Sequence, residues 1–235
     1  LTETNRISVI IPCLNEATNL TELLPILTNE GKGRLLEIIV SDGGSEDKSV
    51  AIAKLNGATI VHSPICCRAT QLNLGAKKAK GDILYFLHAD TRPIEGFAEV
   101  IHSSLGEGKR VGCFRYRFDN ETKLLQVNSW FTKFNSILSG GGDQSLFIEK
   151  TFFNELNGFD ESFHIMEDFE LVRRIRQKSD FHVLPYTMTV SARKYRENGW
   201  LKVQLANFTA FSLFLLKVKP ASIKSLYLKF LSRKN

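Results

Sequence analysis

Between residues 7 and 90, two hydrophobic patterns take turns. Short continuous apolar runs cover 7–12, 37–41, 59–62 and 83–87, each bounded by turn residues. Such runs predict buried strands. Between them, apolar positions recur three and four apart. Leu20, Leu23, Leu24 and Leu27 share one face of a predicted helix over 18–28, with Thr18 as its N-cap. Ser45 stands where it would cap a second helix over 47–55, and a third over 68–80 would end at Gly81 as its C′ residue. This alternation predicts an α/β fold with parallel strands.

Past residue 96 the pattern is less regular. The stretch 111–118 reads as a strand. Val127, Trp130, Phe131, Phe134 and Leu138 have helical spacing over 124–138. Gly140–Gln144 breaks that pattern, and 145–150 reads as another strand. A helix over 166–178 carries its acids first and Arg173, Arg174 and Arg176 last, as the helix dipole favours. The stretch 200–218 is apolar nearly all round but interrupted by Lys202, Gln204, Asn207 and Lys217. After Pro220, Ile223, Leu226, Tyr227, Phe230 and Leu231 form one helical face opposite Lys224, Lys229 and Lys234. Neither piece is a clean span of about 20 apolar residues. Peripheral membrane contact through 200–231, core packing and a homodimer contact all fit this pattern.

The length of 235 residues suits one domain with an appendage. The formal charge of +6 favours anionic partners without choosing among them. Much of the excess lies late: residues 181–235 hold ten Lys or Arg and one acid, Glu197. Cys13, Cys66, Cys67 and Cys113 lack paired zinc-ligand spacing. A reduced, cytoplasmic protein without a signal peptide is expected, peripheral at the inner face of the membrane if the late basic segment docks there.

The chemistry begins where the strands end. Three runs terminate in carboxylates, at Glu16, Asp42 and Asp90. In parallel sheets the ligand crevice lies at the carboxyl ends of the strands. Three acids on one rim of a basic chain predict a hydrogen-bonded or metal-bridged polar ligand. The turn after the first strand is PCLNE, without the glycines that a dinucleotide oxidoreductase or a methyltransferase needs there.

Five segments carry a family resemblance: PCLNE, SDGGSED, CRATQLNLGAKKAKGD, FLHADT and MEDFELVRRI. In this order they resemble the inverting nucleotide-sugar glycosyltransferases of family 2, over about residues 6–198, and most of all a bacterial subgroup with undefined acceptors. The resemblance implies a GT-A fold: a Rossmann-like mixed sheet flanked by helices, as one catalytic domain over 1–198. Its nucleotide half would cover about 1–95 and its acceptor half 96–198. A helical C-terminal appendage would follow over 199–235.

The same resemblance implies roles. Pro12, Asn15, Glu16, Asp42, Gly43, Arg68, Gln71, His88, Ala89 and Asp90 would bind the nucleotide sugar, with Asp42 accepting a hydrogen bond from a base imide. Asp90 would hold Mn²⁺ or Mg²⁺ on the diphosphate. The family pattern Asp-x-Asp reads here His88-Ala89-Asp90, so His88 stands open between metal ligand, phosphate donor and strand-end residue. The residue before Arg68 is Cys67 where the family usually has glycine. Asp168 would be the general base. Asp143, Gln144, Glu167, Arg193 and Arg196 would serve the diphosphate or acceptor. The implied partners are a nucleoside-diphosphate sugar, UDP- or GDP-linked, and a hydroxyl acceptor that is lipid-linked or otherwise near a membrane; no nucleic acid is expected. Two other readings stay open: a sugar nucleotidyltransferase, and a catalytically silent nucleotide-binding module at a membrane. Each residue also has a simpler reading, as a turn, a cap or a solvated charge.

Overall fold

The computed structural model describes residues 6–120, 122–137 and 139–231. Leu138 and Lys234, placed on helical faces above, lie outside the described residues. The four early strands form as β1 (Ile7–Cys13), β2 (Leu35–Asp42), β3 (Thr59–His62) and β4 (Ile83–Phe86), with helices α1 (Ala17–Glu30), α2 (Ser49–Leu55) and α3 (Arg68–Lys78) between them. A short β5 (Thr91–Arg92), α4 (Phe97–Gly106), β6 (Val111–Phe118), α5 (Lys123–Phe131), β7 (Leu146–Glu149), α6 (Lys150–Glu155), α7 (Glu167–Ile175) and β8 (His182–Val190) follow. The chain then runs through α8 (Arg193–Asn198), α9 (Trp200–Leu215) and α10 (Pro220–Phe230).

One eight-stranded sheet has the order β3-β2-β1-β4-β7-β6-β8-β5. The first four strands are parallel, β7 runs antiparallel to both β4 and β6, and β6 and β8 are parallel again. The sheet is therefore mixed. Side chains along β1 alternate between two cores. Ile7, Val9 and Ile11 pack with Leu20, Leu23 and Phe97 on the α1 and α4 side, while Ile10 packs with Leu72, Phe152 and Leu171 on the α3, α6 and α7 side. A strand buried on both faces must be apolar throughout. This is why β1 reads as a continuous run.

Local corrections follow from loop packing. Thr18 is not the N-cap of α1; Glu16 holds that place, and the Ala17 amide donates to Asp47 Oδ2 at 3.1 Å. Ser45 does not cap α2, whose first amide, Ser49 N, donates to Asp47 Oδ1 at 2.8 Å. Asp47 thus closes the starts of two helices at once. Helix α3 ends at Lys78 with Ala79 as its C-cap, so Gly81 is not its C′ residue. A Cβ at Gly81 would sit 2.6 Å from the Arg6 carbonyl oxygen, which explains the glycine by close backbone approach. The helix predicted over 124–138 stops at Phe131, and the predicted strand 145–150 ends at Glu149, with Lys150 starting α6.

The last two helices are part of the scaffold. Ala210, Phe214 and Ile223 pack against Phe163, Ile165, Met166 and Phe169, the segment that leads into α7. The opposite side of α9 leaves Leu201, Leu205 and Phe208 exposed, and Leu216 just beyond it likewise. Among the described residues, no helix is long and apolar enough to cross a membrane. All four cysteines are free thiols.

Candidate active site

The carboxyl ends of β1, β2 and β4 form one rim, because these parallel strands run in near register: Cys13 pairs with Asp42, and Ile10 with Phe86. Asn15 has φ 55°, the left-handed conformation that asparagine tolerates. Its side-chain oxygen accepts from the amides of Glu46 (2.8 Å) and Asp47 (3.4 Å), and its own amide donates to Ser45 Oγ at 2.9 Å. Asp42 is buried; it accepts from the amides of Gly44 and Ser45 at 3.1 Å and lies 3.6 Å from His62 Nδ1. The buried Gln71 amide donates to the carbonyls of Cys13 (2.9 Å) and Ser41 (2.7 Å), tying α3 to both strand ends. Pro12 sits within β1, and the Gly43 amide donates to the Cys13 carbonyl at 2.8 Å. A Cβ on Gly43 would come within 3.0 Å of Gln71 Nε2. These residues brace the two loops against each other.

A second group faces the crevice. Arg193, at the start of α8, reaches back to Glu16 in a two-pronged pair at 2.6 and 3.3 Å and lies 3.7 Å from Asp90 Oδ2. Burial raises the Asp90 carboxyl pKa, Asp143 and Glu16 raise it further, and Arg193 and Arg68 oppose them. His88 Nδ1 lies 4.0 Å from Asp143 Oδ1. Burial and the nearby Arg68 push the His88 imidazole well below its ordinary pKa, so it is neutral. Ala89 is buried, and its carbonyl accepts from Arg92 Nη1 at 3.1 Å.

On the other wall, Arg68 opens α3 and Glu167–Asp168 open α7. Arg68 Nη1 donates to Glu167 Oε1 at 3.1 Å. Glu167 is 1% exposed, and its Oε2 is buried without a hydrogen-bond partner. Burial works against the Arg68 charge, but Glu167, Asp168 and Asp143 hold its pKa above the ordinary value. Asp168 Oδ1 accepts from the Phe169 amide at 2.7 Å, as expected for an acid in the first turn of a helix. Arg68, His88, Gly140, Glu167 and Asp168 together line a cavity of about 30 Å³, room for a single water. Asp168 therefore meets the rim of the parallel strands, although it lies far from them in sequence.

Gln144 is buried inside the loop before β7. It accepts from the Gly140 amide at 2.7 Å and donates to the carbonyls of Phe114 (3.3 Å) and Thr132 (3.4 Å). It shapes the loop, while Asp143 faces His88. Arg196 lies apart from this group, paired with Asp119 at 3.0 Å. Lys194 went unnoticed in the sequence. It hydrogen-bonds Tyr227 Oη at 3.3 Å, and its charge is felt by both Asp143 and His88. Its adjacency to Arg193 was the available signal. Backbone strain concentrates here too: Asn15, Ser145 and Met166 are non-glycine residues with positive φ, each beside a site loop.

The donor set suits a hard divalent cation. Asp90 and Asp143 offer carboxylate oxygens, Glu16 adds negative charge behind Arg193, and neutral His88 offers a nitrogen. Among the described residues, no three such groups lie close enough to hold a metal by themselves. A cation here would complete its shell with ligand oxygens, as Mg²⁺ and Mn²⁺ do with phosphates.

Comparison with known proteins agrees with this architecture. The sequence pattern that defines glycosyl transferase family 2 matches residues 8–175. An uncharacterized glycosyltransferase of Haemophilus influenzae is 23% identical over 190 residues, 74% of this chain and 63% of that protein. The chain thus spans less than two thirds of that relative. Among solved structures, the mannosyltransferase PcManGT of Pyrobaculum calidifontis, in complex with GDP-Man and Mn²⁺, superposes with a TM-score of 0.71 at 17% identity, over 96% of this chain and 69% of that one. Residues 1–349 of S. aureus TarS, in complex with UDP-GlcNAc, superpose with a TM-score of 0.67 at 15% identity, over 96% and 71%. At these identities the likeness is one of fold. The family match spans β1 to α7, and on that ground the chain belongs to glycosyl transferase family 2 and carries the GT-A fold.

Proposed function

We propose that this chain transfers a sugar from a nucleoside-diphosphate sugar, UDP- or GDP-linked, to an acceptor hydroxyl with inversion. Residues up to about 95 serve the donor, and residues 96–198 the acceptor. The observation that carries this reading is the convergence of Arg68, His88, Glu167 and Asp168 on one small cavity beside the Asp90 rim.

Asp168 takes the proton from the acceptor hydroxyl as its oxygen attacks the anomeric carbon. A hydroxyl is a weak nucleophile at neutral pH and needs such a base. One in-line displacement inverts that carbon and releases the nucleoside diphosphate. Arg68 and Arg193 bind the diphosphate oxygens, each held in place by a carboxylate. The base and ribose lie over the loops that Asn15, Asp42 and Gln71 brace. Mg²⁺ or Mn²⁺ at Asp90, with His88 and Asp143 beside it, would neutralise charge on the leaving diphosphate as a Lewis acid.

The test is Asp168→Asn. Sugar transfer, read as release of nucleoside diphosphate, should be abolished while donor binding by calorimetry persists. Transfer at the normal rate would remove Asp168 as the base. Pyrophosphate as the product would assign the site to nucleotidyl transfer instead.

The exposed apolar face of α9 supports a second reading, peripheral contact with an anionic membrane and an acceptor that is lipid-linked. Leu201, Leu205 and Phe208 face outward in a segment rich in lysine. Vesicles with about 30% anionic lipid should sediment the protein, and Leu205→Glu with Phe208→Glu should prevent it. Sedimentation unchanged by the pair would overturn this reading. A dimer dissociated by the pair would give the face to a second copy.

A further inference from the structure

A cleft of about 280 Å³ lies between β6 and α5. Arg115 and Arg117, two apart on one strand, and Lys133, just past α5, bring three positive charges to its walls, and among the described residues no Asp or Glu lines it. Several arginines elsewhere meet carboxylates: Arg34 with Glu99 at 3.2 Å, Arg92 with Glu22 at 2.6 Å, Arg110 with Glu149 at 2.6 Å. Among the described residues Arg115, Arg117 and Arg176 do not; Arg176 meets Asn135 Oδ1 and the Ser136 carbonyl instead. Arg115 Nε is buried with no hydrogen-bond partner among the described residues, and Arg117 Nε reaches Thr189 Oγ1 at 3.5 Å. Asp119, the acid next along the chain, is committed to Arg196 and the Ala192 amide.

A buried donor left unmade is costly, and three like charges around one cleft repel each other. A single anion in the cleft offsets that repulsion. Guanidinium pairs suit phosphate in particular, because their forked donors match its oxygens. The cleft also has an apolar lip. Trp130 lines it, and its ring meets Phe131 and Phe134 edge-on at 5.2 and 4.7 Å; Trp130 and Phe131 are half exposed or more. Its volume falls just below the range of roughly 300–1,000 Å³ for whole small-molecule sites, so it takes a head group and not a nucleotide sugar. Its wall is continuous with the site loop: Thr132 Oγ1 hydrogen-bonds the Tyr116 carbonyl, and the Thr132 carbonyl accepts from Gln144.

We propose that this cleft is a second anion site, which binds the phosphate group of a partly apolar molecule through Arg115, Arg117 and Lys133, with Trp130 against the apolar part. The phosphate could come from a soluble ester or a lipid head group, and the probes separate these. Inorganic phosphate and monomeric dihexanoyl phosphatidic acid would each be titrated into the full chain, following Trp130 fluorescence, with Trp130→Phe removing the signal and leaving that of Trp200. Saturable binding is expected, weakened about tenfold or more in Arg115→Gln with Arg117→Gln. Equal binding of both probes would indicate a soluble ester. Phosphatidic acid binding at least about tenfold tighter would indicate a lipid, since each buried methylene of its chains adds affinity. If the double variant does not fold, Arg117→Gln and Lys133→Gln, both at exposed positions, should each weaken binding about threefold. Binding by neither probe, or binding that survives these substitutions, would overturn the proposal. The titration involves no sugar transfer, so its failure is separate from a failure of the glycosyltransferase reading.

Discussion

The donor loops and the wall that carries Glu167 use their polar side chains differently. In the donor half, Asn15, Asp42, Asp47 and Gln71 spend their hydrogen bonds on backbone amides and carbonyls of neighbouring loops. In the acceptor half, Glu167 Oε2 and Arg115 Nε are buried with no partner among the described residues, and the donor half leaves Ser41 Oγ and Tyr85 Oη in the same state. A satisfied network makes loops rigid, whereas an unsatisfied one is stable only when the surrounding fold holds it or a ligand completes it. The difference teaches that the donor loops are braced against their own backbone, whereas the charge of Glu167 is held by Arg68 from another helix.

Breaking this contrast should produce effects in a definite order. The largest concerns chemistry: Asp168→Asn should lower turnover by about 10²–10⁴-fold, the usual worth of a general base, with donor affinity unchanged. Steady-state rates and calorimetry together check it. Next is the scaffold behind α7. Ile223 is fully buried against the segment leading to that helix, and Ile223→Ala should cost about 2–4 kcal/mol in urea unfolding, with turnover falling more than donor binding. Equal losses of both would show that the C-terminal helices support the whole domain and not the acceptor side alone.

In the donor half, Gln71→Ala should cost about 1–3 kcal/mol, because it removes two buried hydrogen bonds, those to the Cys13 and Ser41 carbonyls. Here donor affinity should fall first. The smallest effect is a pH dependence. Burial raises the Asp47 pKa, but hydrogen bonds from Ser49 and the Ala17 amide together outweigh it and leave the group below its ordinary value. A depressed pKa contributes stability above the unfolded value of about 3.9, and that stability is lost as the pH falls through the folded one. Asp47→Asn should therefore narrow the difference between urea midpoints measured near pH 6 and near pH 3, by a small amount because the side chain is exposed.

Legibility followed the same division. Strands β1 and β4 and the second half of β2 were readable because they are buried on both faces and so appear as apolar runs, whereas the edge strand β3 is only partly buried and was legible from its β-branched residues and its bounding turns. Strand β8 went unread: HVLPYTMTV is buried at only Leu184, Met188 and Val190 and contains Pro185. Helix α4 went unread as well, although Phe97, Ala98 and Ile101 are buried on one face. Among site residues, Glu16, Asp90 and Arg193 meet as a cluster, as do Arg68, Glu167 and Asp168. Asn15, Asp42 and Gln71 share the same rim, yet their visible hydrogen bonds go to the loops. A turn-forming acid and a ligand-binding acid look alike in one dimension, since both favour the end of a strand.

The sequence by itself determined the α/β class, the parallel donor half and the presence of acids at its strand ends. Those features rest on local hydrophobic period and turn chemistry, which neighbouring residues express on their own. Tertiary structure alone decided that Arg193 reaches back to Glu16 across 177 positions. It alone put Asp168 beside Arg68 and gathered Arg115, Arg117 and Lys133 on one cleft. Such pairings depend on which distant segments the sheet order β4-β7-β6-β8 brings side by side, and no local pattern encodes that order.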